Sequence, residues 1–493
     1  MLTLALNTPW AERATPVRLV MTEAISECYS ATLDLLSDRE DLDLDAALQR
    51  AATVTVAGVD GDRTITGIVF EMAFMGSLPG DQFWYRLVLV PKLRLLGLTL
   101  RSRVFCTERP ATIPAVLRQI LDSSEGIPWE GRDMVDRTGR TAYPERDMVV
   151  QYEETDLAFL SRLAEEAGIF YHFGADKAGE QVVFGDDNTA FPPLSAGDGD
   201  RLEYRPRVTI ADGGSAIRSV SLRAGLRPAD ATLDERDYTR PQTVLRVQSR
   251  PQSGGMGSHA WQEVDGYRDS GWGRALADIR AQEAAVDRRL LTGESDCAAL
   301  SAGCAFELRN HASTTDGKYV VTAVKHEAWQ SAPGVEHLPG PPRAGTGYLN
   351  SFTAIPAATP YRPRRGTPRP RLFGLIRATI DGADSGRADI DRLGCYRIIL
   401  PFDHQTRPPG KSSCPVRLLS PYGGPKEGLH FPLLPGTQVM VAFHNGDPDR
   451  PFIVGAAPDA VQMNVVTSAN HYRNVIRSAS GITVTMNDGP PRR

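Results

Sequence analysis

The chain has 493 residues, too many for a single hydrophobic core, and its length predicts about two to four domains. A hydrophobic content of 41%, with 45 glycines and 36 prolines, is typical of a turn-rich globular chain and favours a mainly β protein. A net charge of -5 gives no overall attraction to phosphate backbones, so nucleic acid is not expected as the main partner. The first residues lack a basic leader and a signal-type cleavage site, and no apolar run is long enough to span a membrane. We therefore expect the chain to be made and folded in the cytoplasm.

Strand-like alternation dominates the N-terminal part of the chain. Residues 54–56, 63–70 and 83–90 alternate or run apolar between Gly, Asp and Pro turns. This pattern predicts a β-barrel built from meandering strands. Residues 112–121 follow as a short amphipathic helix, in which Pro114 occupies the first turn, where proline is tolerated.

The most informative segment is residues 151–173, with the sequence QYEETDLAFLSRLAEEAGIFYHF. Thr155 is predicted to cap a helix with its hydroxyl, Asp156 lies where the positive helix end favours an acid, and Gly168 supplies a left-handed helix stop. After Gly168 the composition becomes aromatic and β-branched, which is typical of a strand packed on that helix. His172 lies in this strand, where a packing role is favoured over a pH-sensitive contact.

A second strand-rich region runs from about residue 201 to residue 348. It is interrupted by a predicted helix at residues 273–291, which Gly293 is expected to end. We therefore expect a second β-barrel that carries a long helix. The prolines of residues 355–370 then favour an extended connector and mark the clearest domain boundary.

Beyond the connector, residues 372–459 hold short strands and Gly/Pro turns, consistent with an OB-fold. Residues 445–448 are predicted to form a hairpin turn. Asp447, Asp449 and Arg450 are expected to tie that turn by hydrogen bonds rather than to take part in catalysis, because aspartates at turns commonly bond their own backbone.

The last segment, residues 465–488, alternates too sparsely to fold alone. Such strands become stable when copies from neighbouring chains bury them, so the segment predicts an intermolecular β structure. Its apolar positions are Tyr472, Val475, Ile476, Ile482, Val484 and Met486.

Candidate catalytic and metal-binding residues are few. His326 and Glu327 lack the second histidine of a zinc-binding helix, and residues 293–297 do not match a nucleophile elbow. An acidic loop lacks EF-hand spacing, so a solvated loop is favoured over a cation site. Its acids are Asp381, Asp384, Asp389 and Asp391. We therefore assign no catalytic, cofactor-binding or metal-ligating residue and expect no cofactor.

Two further residue groups have structural interpretations. The scattered cysteines are expected to be free and buried, since they include no CxxC pair: Cys28, Cys106, Cys297, Cys304, Cys395 and Cys414. The connector arginines resemble a basic patch for nucleic acid, but with few aromatics among them a linker docked on an acidic surface is preferred. These arginines are Arg362, Arg364, Arg365, Arg369 and Arg371.

Residues 151–173 closely resemble the signature of VgrG proteins, the spikes of the type VI secretion machine, which are related to bacteriophage tail hubs. Residues 431–455, at the end of the OB region, resemble a second specific motif of that family. Residues 41–56, 67–91 and 303–326 resemble the family's barrel strands in order. The resemblance therefore covers nearly the whole chain.

The sequence departs from the family at two places. Relatives often carry a tryptophan around residues 414–417, where this chain has Cys-Pro-Val-Arg. Family members usually continue into a long triple-stranded β-helix needle with a PAAR-type tip, and residues 480–488 resemble only its opening. Because this chain stops at Arg493, tip binding by it stays an open question.

The resemblance implies a homotrimer whose barrels form a pseudo-sixfold base on a hexameric, Hcp-type tail-tube ring, with the OB domains as the neck. It implies a mainly β fold with α+β insertions: two tail-hub-like β-barrels, an OB-fold neck and the start of a trimeric β-helix. The expected domains are a first barrel at 1–110, an α+β region at 111–200, a second barrel at 201–354, a linker at 355–371, the OB-fold at 372–460 and the β-helix start at 461–493.

The expected function is therefore that of a structural spike and hub, which helps to puncture target membranes and to deliver effectors without enzymatic activity. Other expected partners are baseplate components, effectors or adaptor chaperones and, transiently, the target membrane. Secretion or injection into the target cell would need no signal peptide. The alternatives are the hub of a contractile phage tail or extracellular injection system and, less favoured, an enzyme-bearing spike.

Overall fold

The computed structural model describes residues 1–6, 11–123, 127, 129, 133–139, 143–176, 179–197, 199–206, 214–263, 266–339 and 345–489. The chain forms two compact units. The first unit contains Met1–Thr99, Ile120–Ala142 and Leu160–Thr367. The second unit contains Leu100–Gln119, Tyr143–Phe159 and Pro368–Arg493.

Strands dominate both units and are numbered in chain order. They are β1 (Leu2–Leu6), β2 (Ala14–Ala24), β3 (Ser30–Ser37), β4 (Ala51–Val56), β5 (Arg63–Leu78), β6 (Gln82–Val90), β7 (Leu100–Ala111), β8 (Met134–Arg137), β9 (Arg146–Thr155), β10 (Phe170–Asp176), β11 (Gly179–Gly185), β12 (Arg201–Tyr204), β13 (Ala216–Ala224), β14 (Asp230–Glu235), β15 (Leu245–Gln248), β16 (Ser258–Gln262), β17 (Arg289–Ser295), β18 (Ala305–Arg309), β19 (Gly317–Trp329), β20 (Gly347–Pro356), β21 (Ile376–Asp381), β22 (Arg397–Ile399), β23 (Arg417–Leu418), β24 (Gln438–Phe443), β25 (Pro451–Ala456), β26 (Arg473–Arg477) and β27 (Thr483–Asn487). The described α-helices are α1 (Ile113–Asp122), α2 (Asp156–Ala167) and α3 (Ser270–Val286).

The first unit is organised around one 12-stranded sheet, in the order β1-β4-β5-β6-β3-β2-β19-β18-β12-β13-β17-β20. Strand β19 also pairs with β20, which closes β19, β18, β12, β13, β17 and β20 into a barrel. The barrel core consists largely of Leu202, Ile217, Leu291, Phe306, Val321 and Phe352. The two predicted strand-rich regions are therefore parts of one continuous sheet.

The other strands of this sheet form a half-barrel, made of β1, β4, β5, β6, β3 and β2. Its interior is filled by buried residues that include Leu19, Met21, Leu33, Leu35, Tyr85 and Leu87. The side-chain amide of Gln330 links β1 to β2, because Nε2 donates to the carbonyl oxygens of Leu2 and Pro16 and Oε1 accepts from the Leu2 N–H at 2.8 Å. A side chain thus supplies backbone-like hydrogen bonds at the seam of the half-barrel.

Helix α2 and the hairpin β10–β11 form the core of a small α+β layer, in which β8 is the third strand. The Oγ1 of Thr155 accepts a hydrogen bond from the Ala158 N–H at 3.1 Å, which is the predicted helix cap. Gly168 has φ +70°, so the predicted left-handed stop is confirmed. The helix, its glycine and the following strand are therefore built as the sequence indicates.

Helix α3 covers one face of the three-stranded sheet β15-β14-β16. Its bounds correct the prediction of a helix at residues 273–291. The carboxylate of Asp269 accepts a hydrogen bond from the Trp272 N–H at 2.8 Å and starts the helix earlier, and the helix ends at Val286. Residues 289–291 belong to β17, where pairing with β13 and β20 prevails over the helical spacing of the leucines, and Gly293 lies within that strand rather than at a helix end.

The second unit contains the five-stranded sheet β22-β21-β24-β25-β23 and the antiparallel ribbon β7–β9. Val104, Met148 and Val150 of the ribbon pack into the same core as Ile380, Ile398, Val439, Val441 and Ile453 of the sheet. The hairpin β26–β27 follows this OB domain. The OB-fold and the mainly β fold class are confirmed, whereas the sequence-derived domain boundaries stay predictions.

No disulfide bond joins cysteines within the described residues; four of these cysteines are buried, as expected, whereas Cys28 and Cys106 are only partly buried. None of the described helices is both long and apolar enough to cross a membrane.

Candidate interaction surface

The residues considered for chemistry in the sequence do not converge on one site. His326 lies in strand β19, and the Gly293–Cys297 segment runs through the end of β17. Among the described residues, no group of three or more His, Cys, Asp or Glu is placed to hold a metal ion.

The acidic loop of the second unit uses its carboxylates to organise backbone. Asp391 Oδ1 accepts hydrogen bonds from the N–H groups of Leu393 and Cys395 at 2.8 and 2.9 Å. Asp384 and Asp381 accept in the same way from Gly386 and Ser412. These contacts favour the interpretation of a structured loop over that of a cation site.

The hairpin turn of the OB domain is tied as the sequence predicts. The Asp449 N–H donates to Asp447 Oδ1 at 3.1 Å, and the Arg450 N–H donates to the Asp447 carbonyl oxygen at 2.9 Å. Arg369 adds ion pairs of 3.0 Å to both Asp447 and Asp449. Because Asp449 Oδ1 also accepts from the Val150 N–H at 2.6 Å, these side chains connect the turn, the connector and β9.

The connector docks on acidic side chains, as preferred from the sequence. In the first unit, the Arg365 guanidinium lies 3.2 Å from Glu283 of α3, and Thr367 donates its hydroxyl to Glu165 of α2 at 2.6 Å. Arg362 is buried and donates to the carbonyl oxygens of Gly168 and Asp186. Arg362, Arg365 and Arg369 therefore serve as structural links, and the basic patch is partly neutralised by the chain itself.

His172 lies in the core of the first unit, as expected for a packing residue. Burial lowers the pKa of His172 to about 4, so its ring is neutral at physiological pH. Its ring lies 5.8 Å from that of Phe191, and its Nε2 has no hydrogen-bond partner within the described part of the chain.

A buried polar network that the sequence analysis missed joins the half-barrel to the barrel. Glu23 Oε1 lies 2.8 Å from Arg63 Nη2 and 2.9 Å from His326 Nε2, and His326 Nδ1 lies 2.6 Å from the hydroxyl of Tyr348. Asn350 donates to that hydroxyl at 3.0 Å. The members come from β2, β5, β19 and β20, so no local sequence spacing could have indicated the cluster.

The electrostatics of this network favour a structural role. Burial alone would raise the pKa of Glu23, but the opposing effects of Arg63 and His326 are larger together and bring that pKa down to about 2. Burial and the adjacent Arg63 lower the pKa of His326 to about 4. The network therefore contains a charged Glu23–Arg63 pair and a neutral imidazole, which hold strands together in the interior.

The terminal hairpin presents an apolar face that the described chain leaves in solvent. In the register of β26 and β27, Ile476 lies opposite Val484 and Asn474 opposite Met486. Side chains alternate between the two faces of a strand, so residues of even number share one face. That face carries Tyr472, Ile476, Ile482, Val484 and Met486, which are between 37% and 73% exposed.

The opposite face of the hairpin is mostly polar, with Arg473, Arg477, Thr483, Thr485 and Asn487 around Val475. An isolated two-stranded hairpin is at best marginally stable in water, and fully burying an aliphatic or methionine side chain contributes about 1.5–3 kcal/mol. The hairpin thus has the one-sided apolar pattern of a sheet that requires a further layer. We call the even-numbered apolar residues the hairpin face.

The second unit exposes further large apolar side chains, in the OB domain and just after it. Phe373 is 83% exposed and Val461 is 90% exposed. The others include Leu375, Leu393, Leu419, Tyr422, Phe431 and Met463. These exposed side chains are candidates for contacts in an assembly, because apolar residues that cluster on a surface commonly mark interaction sites.

Comparison with known proteins gives these surfaces a context. The family described as "Phage tail baseplate hub (GPD)" matches residues 22–332, and the "Type VI secretion system/phage-baseplate injector OB domain" matches residues 391–457. The type VI secretion system spike protein VgrG4b of Pseudomonas aeruginosa is 30% identical over 474 residues, which cover 93% of this chain and 56% of that protein.

Two further comparisons point to the same kind of protein. The actin cross-linking toxin VgrG1 of Vibrio cholerae is 28% identical, covering 83% of this chain and 36% of the toxin. The E. coli c3393 protein, a type VI secretion component similar to the T4 tail proteins gp27 and gp5, has the same fold with a TM-score of 0.66 at 22% identity, over 92% of this chain and 100% of that one.

The chain spans about half the length of the first curated relatives that it matches, 56% of VgrG4b and 54% of VgrG5 of Pseudomonas aeruginosa. The hub match covers well over half of this chain, and the OB match follows it toward the C terminus. The chain therefore belongs to the phage tail baseplate hub family, and it is similar to VgrG spike proteins over nearly its whole length.

Proposed function

We propose that this chain acts as the structural spike and hub of a type VI secretion machine, as a homotrimer that caps the tail tube. The observation that carries the proposal is the hairpin face, an apolar surface on a hairpin too small to be stable alone. Three copies related by a threefold axis would bury these faces against one another and give the hairpin the layer it lacks.

The same proposal covers partners and location. A hexameric, Hcp-type ring and baseplate components would contact the hub, and effectors or their adaptors would travel with the spike. A solved structure named as a Francisella PdpA-VgrG complex shares this fold, with a TM-score of 0.58 at 8% identity, and we propose a comparable protein partner for this chain. The chain would be assembled in the cytoplasm and then injected into the target cell.

The proposal assigns no enzymatic activity to this chain. Its force would come from the contractile machine, and its own part would be a rigid wedge that helps to puncture membranes and carries effectors. This chain matches only 36% of the relative that is named as an actin cross-linking toxin. Toxin chemistry in the rest of such a protein is compatible with a spike region that is not itself enzymatic. Cleavage of peptidoglycan, lipid or nucleic acid by the purified chain would contradict this assignment.

The experiment that tests the proposal places charges on the hairpin face. The double variant Ile476→Lys/Val484→Lys puts two ammonium groups on that face, whereas the matched variant Val475→Lys/Thr485→Lys puts them on the opposite one. Sedimentation velocity should show a trimer for the matched control and dissociated chains for the hairpin-face variant. Equal assembly of both variants would overturn the role given to the hairpin face.

A hub in a contractile phage tail or an extracellular injection system is the nearest alternative, because the hub family includes phage baseplate proteins by its description. The mechanical role would be the same in each system. Co-purification from the native host of a type VI tube protein, rather than a phage tube protein, distinguishes them.

A further inference from the structure

Glu180 lies where the α+β layer meets the half-barrel, and its hydrogen bonds restrict where its proton can be. The hydroxyl of Tyr29 lies 2.5 Å from the carbonyl oxygen of Thr66 and is also hydrogen-bonded to Oε2 of Glu180. The second carboxyl oxygen, Oε1, accepts a hydrogen bond from the Lys92 backbone N–H at 3.1 Å. One carboxyl group thus contacts two separate segments of the half-barrel.

A proton count distinguishes the two ionisation states of Glu180. The phenol of Tyr29 has one proton, and the Thr66 carbonyl oxygen can only accept. When Tyr29 donates to Thr66, its contact with Glu180 is a hydrogen bond only if the carboxyl group supplies the proton. In the ionised state Tyr29 can donate to Glu180 or to Thr66 but not to both, whereas a neutral carboxyl group supplies a second proton and allows both contacts to be hydrogen bonds.

The groups around Glu180 also favour its neutral form. Burial raises the pKa of Glu180 to about 7, although Tyr29 and Lys92 oppose the shift by hydrogen bonding. The Lys92 ammonium is itself engaged, since it lies 3.0 Å from Asp133. Asp133 itself raises the pKa of Glu180. Other titratable or charged groups described around this contact are Glu23, which acts on Tyr29, and Cys28, whose pKa is raised mainly by burial, with Glu27 and Arg94 beside it.

The carboxyl group is part of the contact that holds the hairpin β10–β11 on the half-barrel. Nearby, the Ser26 N–H donates to the Tyr171 carbonyl oxygen at 2.7 Å, and the Tyr29 ring packs edge-on against that of Phe173 at 5.2 Å. The Glu180 contact supports the end of the hairpin farther from Phe170 and Gly185, which pair at its base.

We propose that Glu180 is a proton-dependent catch: in its neutral form it ties β11 to the half-barrel through Tyr29 and Lys92, and loss of its proton loosens the hairpin β10–β11. The device is a property of the first unit and does not depend on the spike function. The α+β layer would accordingly be the part of this unit that opens more readily as the pH rises through neutrality.

The direction of the pH effect on hairpin stability follows from the linkage between proton binding and folding. A carboxyl group that holds its proton more tightly in the folded protein stabilises the fold at low pH, and this stabilisation is fully present below the usual carboxyl pKa and lost as the pH rises through about 7. Between pH 6 and pH 8, the opening constant of the hairpin should therefore rise about tenfold.

Amide hydrogen exchange of the full chain tests the proposal. After correction for the intrinsic pH dependence of exchange, amides in β10 and β11 should lose about tenfold in protection from pH 6 to pH 8, while those of α3 should not. Glu180→Gln keeps an oxygen acceptor and cannot ionise, so it should abolish the difference. Glu40→Gln, which alters an exposed half-barrel carboxylate, should leave it unchanged.

Infrared difference spectra give an independent measure. Subtracting Glu180→Gln from the unaltered chain should reveal a protonated-carboxyl C=O band at pH 6 that disappears at pH 9. Absence of the band at pH 6, or equal hairpin protection at both pH values in the unaltered chain, would overturn the proposal. The exchange measurement on the unaltered chain alone decides the matter if Glu180→Gln does not fold.

Discussion

Replacement of Gly168 by valine should destabilise the first unit by about 2–5 kcal/mol. Gly168 ends α2 with φ +70°, a conformation that costs about 1–2 kcal/mol for a residue with a Cβ atom. That Cβ would also lie 2.8 Å from Ile279 Cγ2 and 3.2 Å from Arg362 Cδ. Crowding of a packed interior adds about 1–3 kcal/mol, which gives the total.

The neighbours of Gly168 have little room to adjust. Ile279 is buried in the core under α3, and Arg362 donates to the carbonyl oxygen of Gly168 itself at 3.2 Å. A valine would therefore strain the helix stop and push against the connector contact at once.

Gly80→Val is the matched control, because Gly80 has φ +80° but nothing lies within 4 Å of the Cβ position. It should show the backbone cost alone, about 1–2 kcal/mol. The loss of stability in each variant is measured by denaturant unfolding, monitored through hydrogen exchange of the amides in α2 and β10. This readout does not assume that the two units unfold together. If Gly168→Val unfolds like the unaltered chain, or costs no more than Gly80→Val, the reasoning about this corner is refuted.

Three further results are expected. Arg63→Ala should lower the free energy of unfolding of the first unit by about 3–5 kcal/mol, because it leaves the buried Glu23 carboxylate unpaired. Arg364→Ala, at an exposed position, should change that free energy little in the same denaturant experiment. Equal losses in the two variants would count against the network. Gln330→Ala should cost about 1–3 kcal/mol and speed hydrogen exchange in β1, and unchanged β1 exchange would contradict the seam contact. From about pH 6.5 toward pH 4, the first unit should lose more stability in the unaltered chain than in a His326→Gln chain, because His326 stays neutral in the fold while it protonates in the unfolded chain. Identical pH profiles for the two chains would argue against that cause.

Local patterns in the sequence predicted much of the fold. The Thr155 cap, the Gly168 stop and the strand after it depend on neighbouring residues, so they could be derived from the sequence and agree with the structure. The hairpin turn near Asp447 was predictable for the same reason, since its hydrogen bonds lie within a few residues.

Features that depend on distant residues were not predictable in this way. Leu290 has helical spacing with Leu276, Ile279 and Val286 of α3. It lies in β17, however, which pairs with β13 and β20, and that pairing decides its structure. Glu23, Arg63 and His326 meet only because one sheet brings β2, β5 and β19 together. The same holds for Gln330, whose role at the seam requires knowledge of where β1 and β2 lie.

The candidate interaction surface lies between these cases. The alternation of residues 472–486 indicated strands that need a partner, and the structure adds the register that places Ile476 opposite Val484 on one exposed face. The partner itself is a matter for assembly rather than for a single chain, so neither the alternation nor the register identifies it.

The most direct test of the spike assignment is the solution mass of the purified chain by light scattering. The account predicts a trimer, three times the chain mass of 53.7 kDa. A monomer that persists at high protein concentration and after a longer β-helix is added at the C terminus would contradict the account.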